Sequence, residues 1–523
     1  MYIVFINPCF NHYAGIKGHG GLSAPLNLAC LAAYLREKRP TDKITIIDAE
    51  ALNYDYESTI EHLLACKPDL VGITTTTPSF DIISELVAKI HKATPNIPII
   101  LGGPHATGSP DTTVSVPGVT AAVIGEGEIT LLEIVEHLEQ KLPLTSIAGI
   151  AYQDPNRKLI ITNPRAQIED LNSLPLPARD LLPMKLYYSP PTKTLGGSHI
   201  ANISTSRGCP FNCTFCLSTM MWGKKCRQKS VGRIMEEIED CIKRYGCDEF
   251  NFNDDLFTAD KNRVKDFCDQ MVKKNINVNW VAMSRSDYIT YELLAVMKKG
   301  GCKKIAIGFE SGSPTVLKHM NKRLDINKSL EAAKLIRNSG ISLFAAFVIG
   351  HIGETTETIK ETIAFAKKIK PDTVAFFQAS PYPGTDFYKT AKHSGYLNEM
   401  AKWADYAIVS NKSSVVNLPG LSAEEIHRQV KIAYRSFYLS PNYIISRLKQ
   451  IRSWRMLLEN LKGLKILFAI INIRVVIDRF LLRFYQNKKL ERIYWFLLIF
   501  WLNLVFISFF INNYLWRIIE GNY

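Results

Sequence analysis

Three cysteines with a close, uneven spacing are the first residues in this chain that could do chemistry. In the stretch SRGCPFNCTFC (206–216), Cys209, Cys213 and Cys216 follow the pattern C-x3-C-x2-C without a fourth cysteine. A closed structural zinc or iron–sulfur site takes four thiolate or imidazole ligands. Three thiolates could instead hold three irons of a four-iron cluster and leave the fourth iron open to a small chelating ligand.

Two other interpretations of these cysteines remain open. A distant side chain such as His199 or Cys226 could complete a zinc site, or the three thiols could be unrelated buried residues. Five further cysteines lack a ligand-like spacing, and we assign them no role: Cys226, Cys241, Cys247, Cys268 and Cys302.

The first 145 residues alternate short apolar runs with helical patterns. This alternation predicts an α/β fold, a doubly wound parallel sheet of Rossmann-like type. The apolar runs are YIVFI (2–6), ITIID (44–48), LVGITTT (70–76), IPIILGG (97–103) and TAAVIGEGE (120–128).

Three of these runs end in small or hydroxyl residues. Ligands of an open parallel sheet lie beyond the carboxyl ends of its strands, and glycine there lets the backbone approach a large flat ligand. Tight turns alone would explain any single glycine, but three such ends together indicate a binding site. The residues at these ends are Thr74, Thr75 and Ser79; Gly102, Gly103 and His105; and Gly125, Glu126, Gly127 and Glu128.

A second βα series follows a hairpin and proline-rich linker predicted over 146–190. Residues 191–400 contain six strand-like runs separated by helical patterns, which predicts a partial (β/α)6 barrel. The cysteine loop follows the first of these runs, at the strand end where such barrels place their chemistry. The runs are IANISTS (200–206), DEFNFND (248–254), VNWVAMS (278–284), KKIAIGFE (303–310), ISLFAAFVIG (341–350) and DTVAFFQAS (372–380).

The stretch RGCPFNCTFC resembles the cluster loop of radical S-adenosylmethionine (SAM) enzymes. The resemblance implies that Cys209, Cys213 and Cys216 bind a [4Fe-4S] cluster whose open iron holds the amino and carboxylate groups of SAM. One electron, from a donor such as a flavodoxin or ferredoxin, then cleaves the sulfonium to a 5′-deoxyadenosyl radical.

The same resemblance extends to the ends of the later strands. It implies that Phe215 contacts the adenine of SAM, and that the NDD stretch after the second strand, where many members have GGE, holds its amino group. Residues after the third and fourth strands match positions that face the ribose and carboxylate. GHIGE (350–354) resembles the family turn GLPGET, with His351 and Ile352 replacing Leu and Pro. The implied SAM-binding residues are Phe215, Asn253, Asp254, Asp255, Ser284, Arg285, Glu310 and Gly350.

The N-terminal half is similar to the cobalamin-binding domain of the B12-dependent radical SAM enzymes, which include magnesium-protoporphyrin ester cyclases and hopanoid methylases. The similarity is carried by GGPHAT and VIGEGE and implies that the three loops named above bind cobalamin, with His105 lining its pocket. Many such domains bind cobalt through the histidine of D-x-H-x-x-G. This chain has FNHYAG around His12, without the orienting aspartate, so we expect no protein ligand below cobalt.

Composition and length are those of a folded protein with several domains. The chain has 523 residues, of which 47% are hydrophobic and 21% charged. Its eleven cysteines have no paired spacing, and MYIVFINP is unlike a signal peptide, so we expect a cytoplasmic location.

The C-terminal region from residue 401 is predicted to be helical, basic and rich in aromatic residues. Residues 421–523 carry 16 Lys and Arg against 6 Asp and Glu, and 493–511 have no charge over 19 residues. This pattern predicts contact with the inner membrane face. A buried terminal helix or a dimer contact are the alternatives. Nucleic acid is disfavoured, because the cations alternate with Leu, Ile and Phe.

These features support one leading function and three alternatives. The leading hypothesis is methyl transfer from cobalamin to an unactivated carbon of a hydrophobic or membrane-associated substrate, a small molecule or a lipid. Oxidative cyclisation or rearrangement of a porphyrin-like metabolite would use the same cofactors. Methylthiolation of tRNA is disfavoured because Cys9, Cys30 and Cys66 do not form a second cysteine triad. A non-catalytic sensor is disfavoured by the open iron position.

Overall fold

The computed structural model describes residues 1–10, 21–190, 192–409, 412–450 and 467. The chain divides into two units, Met1–Asn460 and Leu461–Tyr523. His12 and the predicted membrane-contacting segment 493–511 lie outside the described residues. No helix in the described part is long and apolar enough to cross a bilayer.

The first sheet has seven strands in the order β2-β1-β3-β4-β5-β6-β7. Strands β1 to β5 are parallel, with Ile3 of β1 pairing with Ile44 of β2 and Leu70 of β3. The strands are β1 (Tyr2–Asn7), β2 (Lys43–Asp48), β3 (Leu70–Thr74), β4 (Ile99–Gly102), β5 (Val119–Val123), β6 (Ile150–Gln153) and β7 (Leu159–Ile161). The helices are α1 (Leu26–Lys38), α2 (Ala49–Leu52), α3 (Tyr56–Cys66), α4 (Phe80–Ala93), α5 (Pro104–Gly108), α6 (Pro110–Val114) and α7 (Glu128–Gln140).

The parallel part of this sheet agrees with the sequence prediction. Its strands are almost continuously apolar because helices cover both faces. The predicted hairpin of 146–190, however, is not separate from the sheet. Strand β6 extends the sheet antiparallel to β5, with Ala151 opposite Ala122, and β7 pairs antiparallel to β6. This pairing covers an edge of β5 that would otherwise expose its backbone.

The second sheet is an open parallel barrel in the order β15-β14-β13-β12-β11-β8, as the six strand-like runs predict. A two-stranded ribbon, β9 with β10, follows the first barrel strand. The strands are β8 (Ile200–Ile203), β9 (Ser206–Arg207), β10 (Arg227–Gln228), β11 (Glu249–Phe252), β12 (Asn279–Ser284), β13 (Cys302–Glu310), β14 (Ser342–Ile349) and β15 (Thr373–Gln378). The helices are α8 (Ser218–Trp222), α9 (Val231–Tyr245), α10 (Lys261–Lys273), α11 (Tyr291–Lys299), α12 (Pro314–His319), α13 (Ile326–Ser339), α14 (Thr356–Ile369) and α15 (Asp386–His393).

The region after the barrel becomes helical later than predicted. A 3-10 turn, Trp403–Tyr406, precedes α16 (Ala423–Tyr438) and α17 (Pro441–Gln450). The turn contacts helix α4 beside the first sheet, where the backbone N–H of Ala404 donates to Asp81 at 2.9 Å. Helix α16 covers the barrel, with the ring centroids of Phe376 and Tyr434 5.5 Å apart. The segment between the turn and α16 therefore connects two packed regions.

The proline-rich linker is fixed to the barrel by a buried arginine. Arg179 donates 2.7 Å hydrogen bonds to Glu237 of α9 and to the carbonyl of Asn202 in β8. The Arg179 and Glu237 side chains are 2% and 0% exposed, and Lys229 bonds the second Glu237 oxygen at 2.8 Å. The linker therefore has one defined position against the barrel.

Candidate functional site

The cysteine loop begins where β8 ends, and a buried carboxylate shapes this turn. Asp254 is fully buried and accepts from the backbone N–H groups of Thr205 and Ser206 at 2.6 Å and from the Thr205 hydroxyl at 2.7 Å. The family resemblance implied that Asp254 holds the amino group of SAM. In the structure, both carboxylate oxygens of Asp254 instead accept hydrogen bonds from the residues that follow β8.

The loop backbone is held from two sides. The N–H of Thr214 donates to the carbonyl of Met320 at 3.0 Å, and its carbonyl accepts from the N–H of Phe387 at 2.8 Å. The Asn321 amide donates to the carbonyl of Asn212 at 2.8 Å. These bonds fix the backbone between Cys209 and Cys216 from outside the loop.

The three thiols are partly buried in this loop. Burial raises the pKa of Cys216 to about 12, against a hydrogen bond from the Ser218 N–H that lowers it. Without a bound metal, the surroundings of Cys216 therefore favour its protonated thiol. The positive charge of bound iron would stabilise the thiolate. Among the described residues, no three His, Cys, Asp or Glu side chains are grouped to hold one metal ion. A cubane gives each thiolate its own iron.

Arg285 lies against the cysteine loop, as its position after β12 suggests. Its guanidinium carbon is 3.5 Å from the ring centroid of Phe211. Its Nε and Nη2 bond Asp287 at 3.0 Å, and Nη2 also donates to the carbonyl of Lys322. Its buried Nη1 has no hydrogen-bond partner within the described part of the chain. A cation with a free donor beside the cysteine loop fits the carboxylate of SAM.

Glu310 is bound to a lysine that sequence analysis missed. The Lys322 ammonium donates to Glu310 at 2.9 Å, and both residues are buried. Glu310 has a φ of +65°, which is strained for a residue with a side chain, at a bulge in β13. Nothing in the local sequence around Lys322 distinguishes it. Ser284 is less available, because it is buried and its hydroxyl shares a 2.7 Å hydrogen bond with Thr258.

Two residues after β11 remain open to solvent. Asn253 and Asp255 are exposed, unlike Asp254 between them. The Asp255 carboxylate accepts from the Ser218 hydroxyl at 2.5 Å. The carboxyl end of Asp255 is nevertheless packed beside Ser218, and this desolvation raises its pKa, against the lowering effect of the Ser218 bond.

A buried histidine lies beside Phe215, the predicted adenine contact. The rings of His351 and Phe215 are 6.2 Å apart edge to face, and His351 stacks on Phe387 at 4.5 Å. Gly350 has a φ of +100°, and its N–H donates to Glu354. A side chain at Gly350 would come within 2.7 Å of Ile426, so this turn requires glycine.

The inner face of the barrel beneath this ring of residues is largely apolar. Phe309, Phe347 and Phe376 stack on each other outside the strands. The alternating residues face inward, and they are alanines and phenylalanines. A packed group on this face comprises Ala306, Phe344, Ala346, Ala375 and Phe377.

The loops assigned to cobalamin form one edge of the first sheet. The Thr75 hydroxyl donates to the carbonyl of Gly102 at 2.9 Å. Gly103 has a φ of +110°, and a side chain there would meet the Thr75 carbonyl at 2.7 Å. Thr74 accepts from Asn27 at 2.8 Å, and Ser79 shares a 2.8 Å hydrogen bond with Thr76. The loops after β3 and β4 are therefore tied together.

His105 lies behind this edge and is enclosed by its neighbours. It is fully buried, stacks on Phe80 at 3.9 Å and meets Trp403 at 4.7 Å. Its ring nitrogens are 3.2 Å from the hydroxyls of Thr77 and Thr112. Burial lowers the pKa of His105 to about 4, so the ring is neutral near pH 7. Sequence analysis placed this ring at the cofactor, whereas the structure places it in the packing beneath the loop.

The third loop, after β5, contacts the barrel. The N–H of Gly125 donates to the Thr107 hydroxyl at 3.0 Å, and Gly127 leads into α7. Glu126, assigned to cobalamin from sequence, pairs with Arg227 at 2.6 Å and accepts from the N–H of Ile168 at 2.8 Å. Its carboxylate is therefore bound to the barrel and the linker.

Two domain-family models match the chain. The radical SAM superfamily model matches residues 203–366, and the B12-binding domain model matches residues 19–135. The first match covers the cysteine loop and the barrel strands β11 to β14, and the second covers strands β2 to β5 of the first sheet.

Curated relatives match most of the chain. An uncharacterised methyltransferase of Pyrococcus horikoshii is 35% identical over 429 residues, covering 82% of this chain and 90% of the relative. The anaerobic magnesium-protoporphyrin IX monomethyl ester cyclase of Rubrivivax gelatinosus is 28% identical over 451 residues, covering 85% and 78%. The cytidylyl-2-hydroxyethylphosphonate methyltransferase of Streptomyces wedmorensis is 28% identical over 399 residues, covering 69% and 73%.

Solved structures share the fold. The radical SAM methyltransferase TsrM from Kitasatospora setae, with cobalamin and a [4Fe-4S] cluster bound, superposes with a TM-score of 0.67 at 16% identity, covering 84% of this chain and 89% of that one. The cobalamin-dependent radical SAM enzyme OxsB, with aqua-cobalamin and SAM bound, gives 0.68 at 18% identity, covering 92% and 72%. These likenesses confirm the predicted combination of a Rossmann-like sheet and an open barrel.

Proposed function

Because this chain belongs to the cobalamin-dependent radical SAM enzymes, we propose that it transfers a methyl group to an unactivated carbon of a hydrophobic substrate. Its family cofactors are a [4Fe-4S] cluster, SAM and cobalamin. When bound, they supply one-electron cleavage of the SAM sulfonium and a cobalt-carried methyl group. Two of the relatives described above are methyltransferases, which supports methyl transfer.

The observation that carries this proposal is the close approach of the two cofactor-binding edges. A side chain at Gly108, at the end of α5, would come within 2.2 Å of the carbonyl of Pro383. A side chain at Gly384 would lie 3.1 Å from the Cα of Gly108. The sheet edge carrying the cobalamin loops thus meets the loop after β15, which leaves little room for water. A substrate held beside this contact, between the two edges, would be close to both cofactors.

Different side chains around the cysteine loop would bind the cluster and the different groups of SAM. Cys209, Cys213 and Cys216 would bind the cluster, and Arg285 and Lys322 would hold the carboxylate. Asn253 and Asp255 would hold the amino group, and Phe215 the adenine. The apolar inner face, with Met283 38% exposed, favours a substrate with a hydrophobic body.

The C-terminal region suggests where the enzyme binds such a substrate. Segment 493–511 would hold the enzyme at the cytoplasmic membrane face, where it would reach a lipid without releasing it into water. Deleting residues 485–523 should then release the protein from membrane pellets. A truncated protein that still sediments with membranes would contradict this part of the proposal.

The central experiment is anaerobic turnover of the reconstituted full chain with SAM, methylcobalamin, a one-electron reductant and a lipid extract. Methyl transfer should give S-adenosylhomocysteine and 5′-deoxyadenosine together with a methylated product, read by mass spectrometry. C213A should lose iron and SAM cleavage, whereas C226A, with a thiol that accepts from Gln228 at 3.8 Å, should keep both. Equal cleavage by C213A and the unmodified chain would contradict the proposal.

Cyclisation is the second candidate, because the similarity to the magnesium-protoporphyrin ester cyclase covers 85% of this chain. The same experiment separates the two reactions. Methylation adds one carbon to the product and consumes SAM to S-adenosylhomocysteine, whereas cyclisation adds no carbon.

A further inference from the structure

Two glutamates of the cobalamin-side loop bind two arginines beside the cysteine loop. Glu128 pairs with Arg207 at 2.5 Å, and Glu126 pairs with Arg227 at 2.6 Å. Arg207 and Arg227 face each other across the β9–β10 ribbon. Their side chains are 13% and 1% exposed, and both glutamate side chains are 5% exposed. We name these four residues the interdomain clamp.

One residue, Gly208, connects the clamp to the cysteine loop, and its backbone is closely packed. Gly208, between Arg207 and Cys209, has a φ of +97°. A side chain there would come within 2.2 Å of the carbonyl of Lys225. Displacement of Arg207 would therefore move Cys209.

The other side of the clamp is joined as tightly to the first sheet. The N–H of Gly125 is held by Thr107, and Glu128 begins α7. Arg227 also donates to the carbonyls of Ile168 at 2.6 Å and Trp222 at 3.0 Å, so the linker enters the same network. Ion pairs and hydrogen bonds thus connect the loop after β5 to Arg207 and Arg227, and the backbone through Gly208 continues to Cys209.

Stability alone is a weak reason for such a network. The free energy needed to remove two ion pairs from water is about as large as the attraction between their charges. Packed apolar residues often stabilise an interface equally well. Guanidinium forks and carboxylates, in contrast, set distance and orientation closely. A reaction that moves a group between two cofactors depends on those two quantities.

We propose that the interdomain clamp is a positioning device that sets the cysteine loop against the cobalamin-side loop. Glu126 and Glu128 are then positioning residues that act through Arg227 and Arg207. This inference rests on the proposed function for its chemical consequence. The mechanical link itself concerns only the residues of this chain.

The test compares E128Q and E126Q with E169Q in the cluster-containing full chain. Glutamine keeps the shape of each side chain and removes its charge. Glu169 is a matched control, because it pairs with Lys225 near the same ribbon but both side chains are more than 60% exposed. R207K, which keeps the charge but loses the guanidinium fork, is a milder variant if E128Q does not fold.

Hydrogen exchange measured by mass spectrometry gives the first result. E128Q should speed exchange about tenfold or more in both 124–128 and 206–217, and E169Q in neither. Faster exchange confined to 124–128, with 206–217 unchanged, would overturn the clamp. This result does not require turnover, so it stands even if the proposed methyl transfer is wrong.

The second result concerns the reaction. With iron and cobalamin contents unchanged, E128Q should form 5′-deoxyadenosine with about tenfold less methylated product per cleavage event. R207K should lie between E128Q and the unmodified chain. An unchanged product ratio in E128Q would overturn the positioning role. Unmodified protein that cleaves SAM without methylating any substrate would instead count against the proposed function.

Discussion

Thr214, between the second and third cysteines of the cluster loop, shares a 3.0 Å hydrogen bond with Nε2 of His351 at the end of β14. Nδ1 of His351 lies 3.2 Å from the carbonyl of Ile352 and therefore carries the proton. Burial lowers the pKa of His351 to about 4, so the ring is neutral near pH 7 and accepts from the Thr214 hydroxyl. This bond ties the cluster loop to the barrel at a position where the family resemblance has leucine.

Replacing His351 with leucine should occupy the space of the imidazole ring but remove the hydrogen bond that holds the cysteine loop at Thr214. H351L and T214V should each lose about 1 kcal/mol of unfolding free energy, because each variant removes one partner of the Thr214–His351 hydrogen bond. The loss should be no larger in H351L, because the Thr214 hydroxyl also lies 3.4 Å from the carbonyl of His319. Urea unfolding of the two single variants and the double variant measures the coupling. We expect the double variant to lose little more than either single variant. Fully additive losses would show that the bond does not join the two residues energetically.

Glu354 should make stability depend on pH. Burial raises its pKa to about 8, although its carboxylate accepts from the N–H groups of Gly350 and His351. The folded chain therefore holds this proton at a pH where the unfolded chain, with a pKa near 4.3, releases it. The stabilisation is complete below about pH 4 and is lost as the pH rises to about 8.

The variant E354Q stays neutral at every pH and should remove this dependence. Across the window from about pH 4 to 8, its stability relative to the unmodified chain should rise by ~1.4 kcal/mol for each pH unit. Thermal unfolding at a series of pH values measures it. Parallel stability curves for the two proteins would mean that Glu354 titrates normally in the folded chain.

The buried pair that fixes the linker should be costly to break. E237Q leaves Arg179 and Lys229 without their countercharge in a site that is 0% exposed at Glu237, and should lose about 3–5 kcal/mol. The neighbouring variant E236Q is the control, because Glu236 pairs with Arg233 but is 56% exposed, and should lose about 0–1 kcal/mol. Urea midpoints give both values. Similar losses for the two variants would contradict the assignment of Glu237 as the buried anchor.

Gly108 should tolerate no side chain at the contact between the sheet and the barrel. G108A would place a methyl group 2.2 Å from the Pro383 carbonyl, and should lose about 1–3 kcal/mol. G232A, in α9 where no atom lies within 4 Å, should be neutral or gain up to about 1 kcal/mol. Thermal unfolding compares them. Equal melting temperatures would show that the contact can open without cost.

Local patterns in the sequence determined the α/β class and the six barrel strands, and they predict that Cys209, Cys213 and Cys216 bind the cluster. Strand periodicity and the C-x3-C-x2-C spacing are properties of neighbouring residues, so they can be read without a structure. The tertiary structure decided how residues far apart in the chain meet. It buried Asp254 beneath the turn and His105 beneath its loop, moved Glu126 to an arginine about a hundred residues away, and brought Lys322 to Glu310. Those placements depend on burial and on long-range pairing of charges, which leave no local pattern because each partner is separately compatible with a solvent-exposed position.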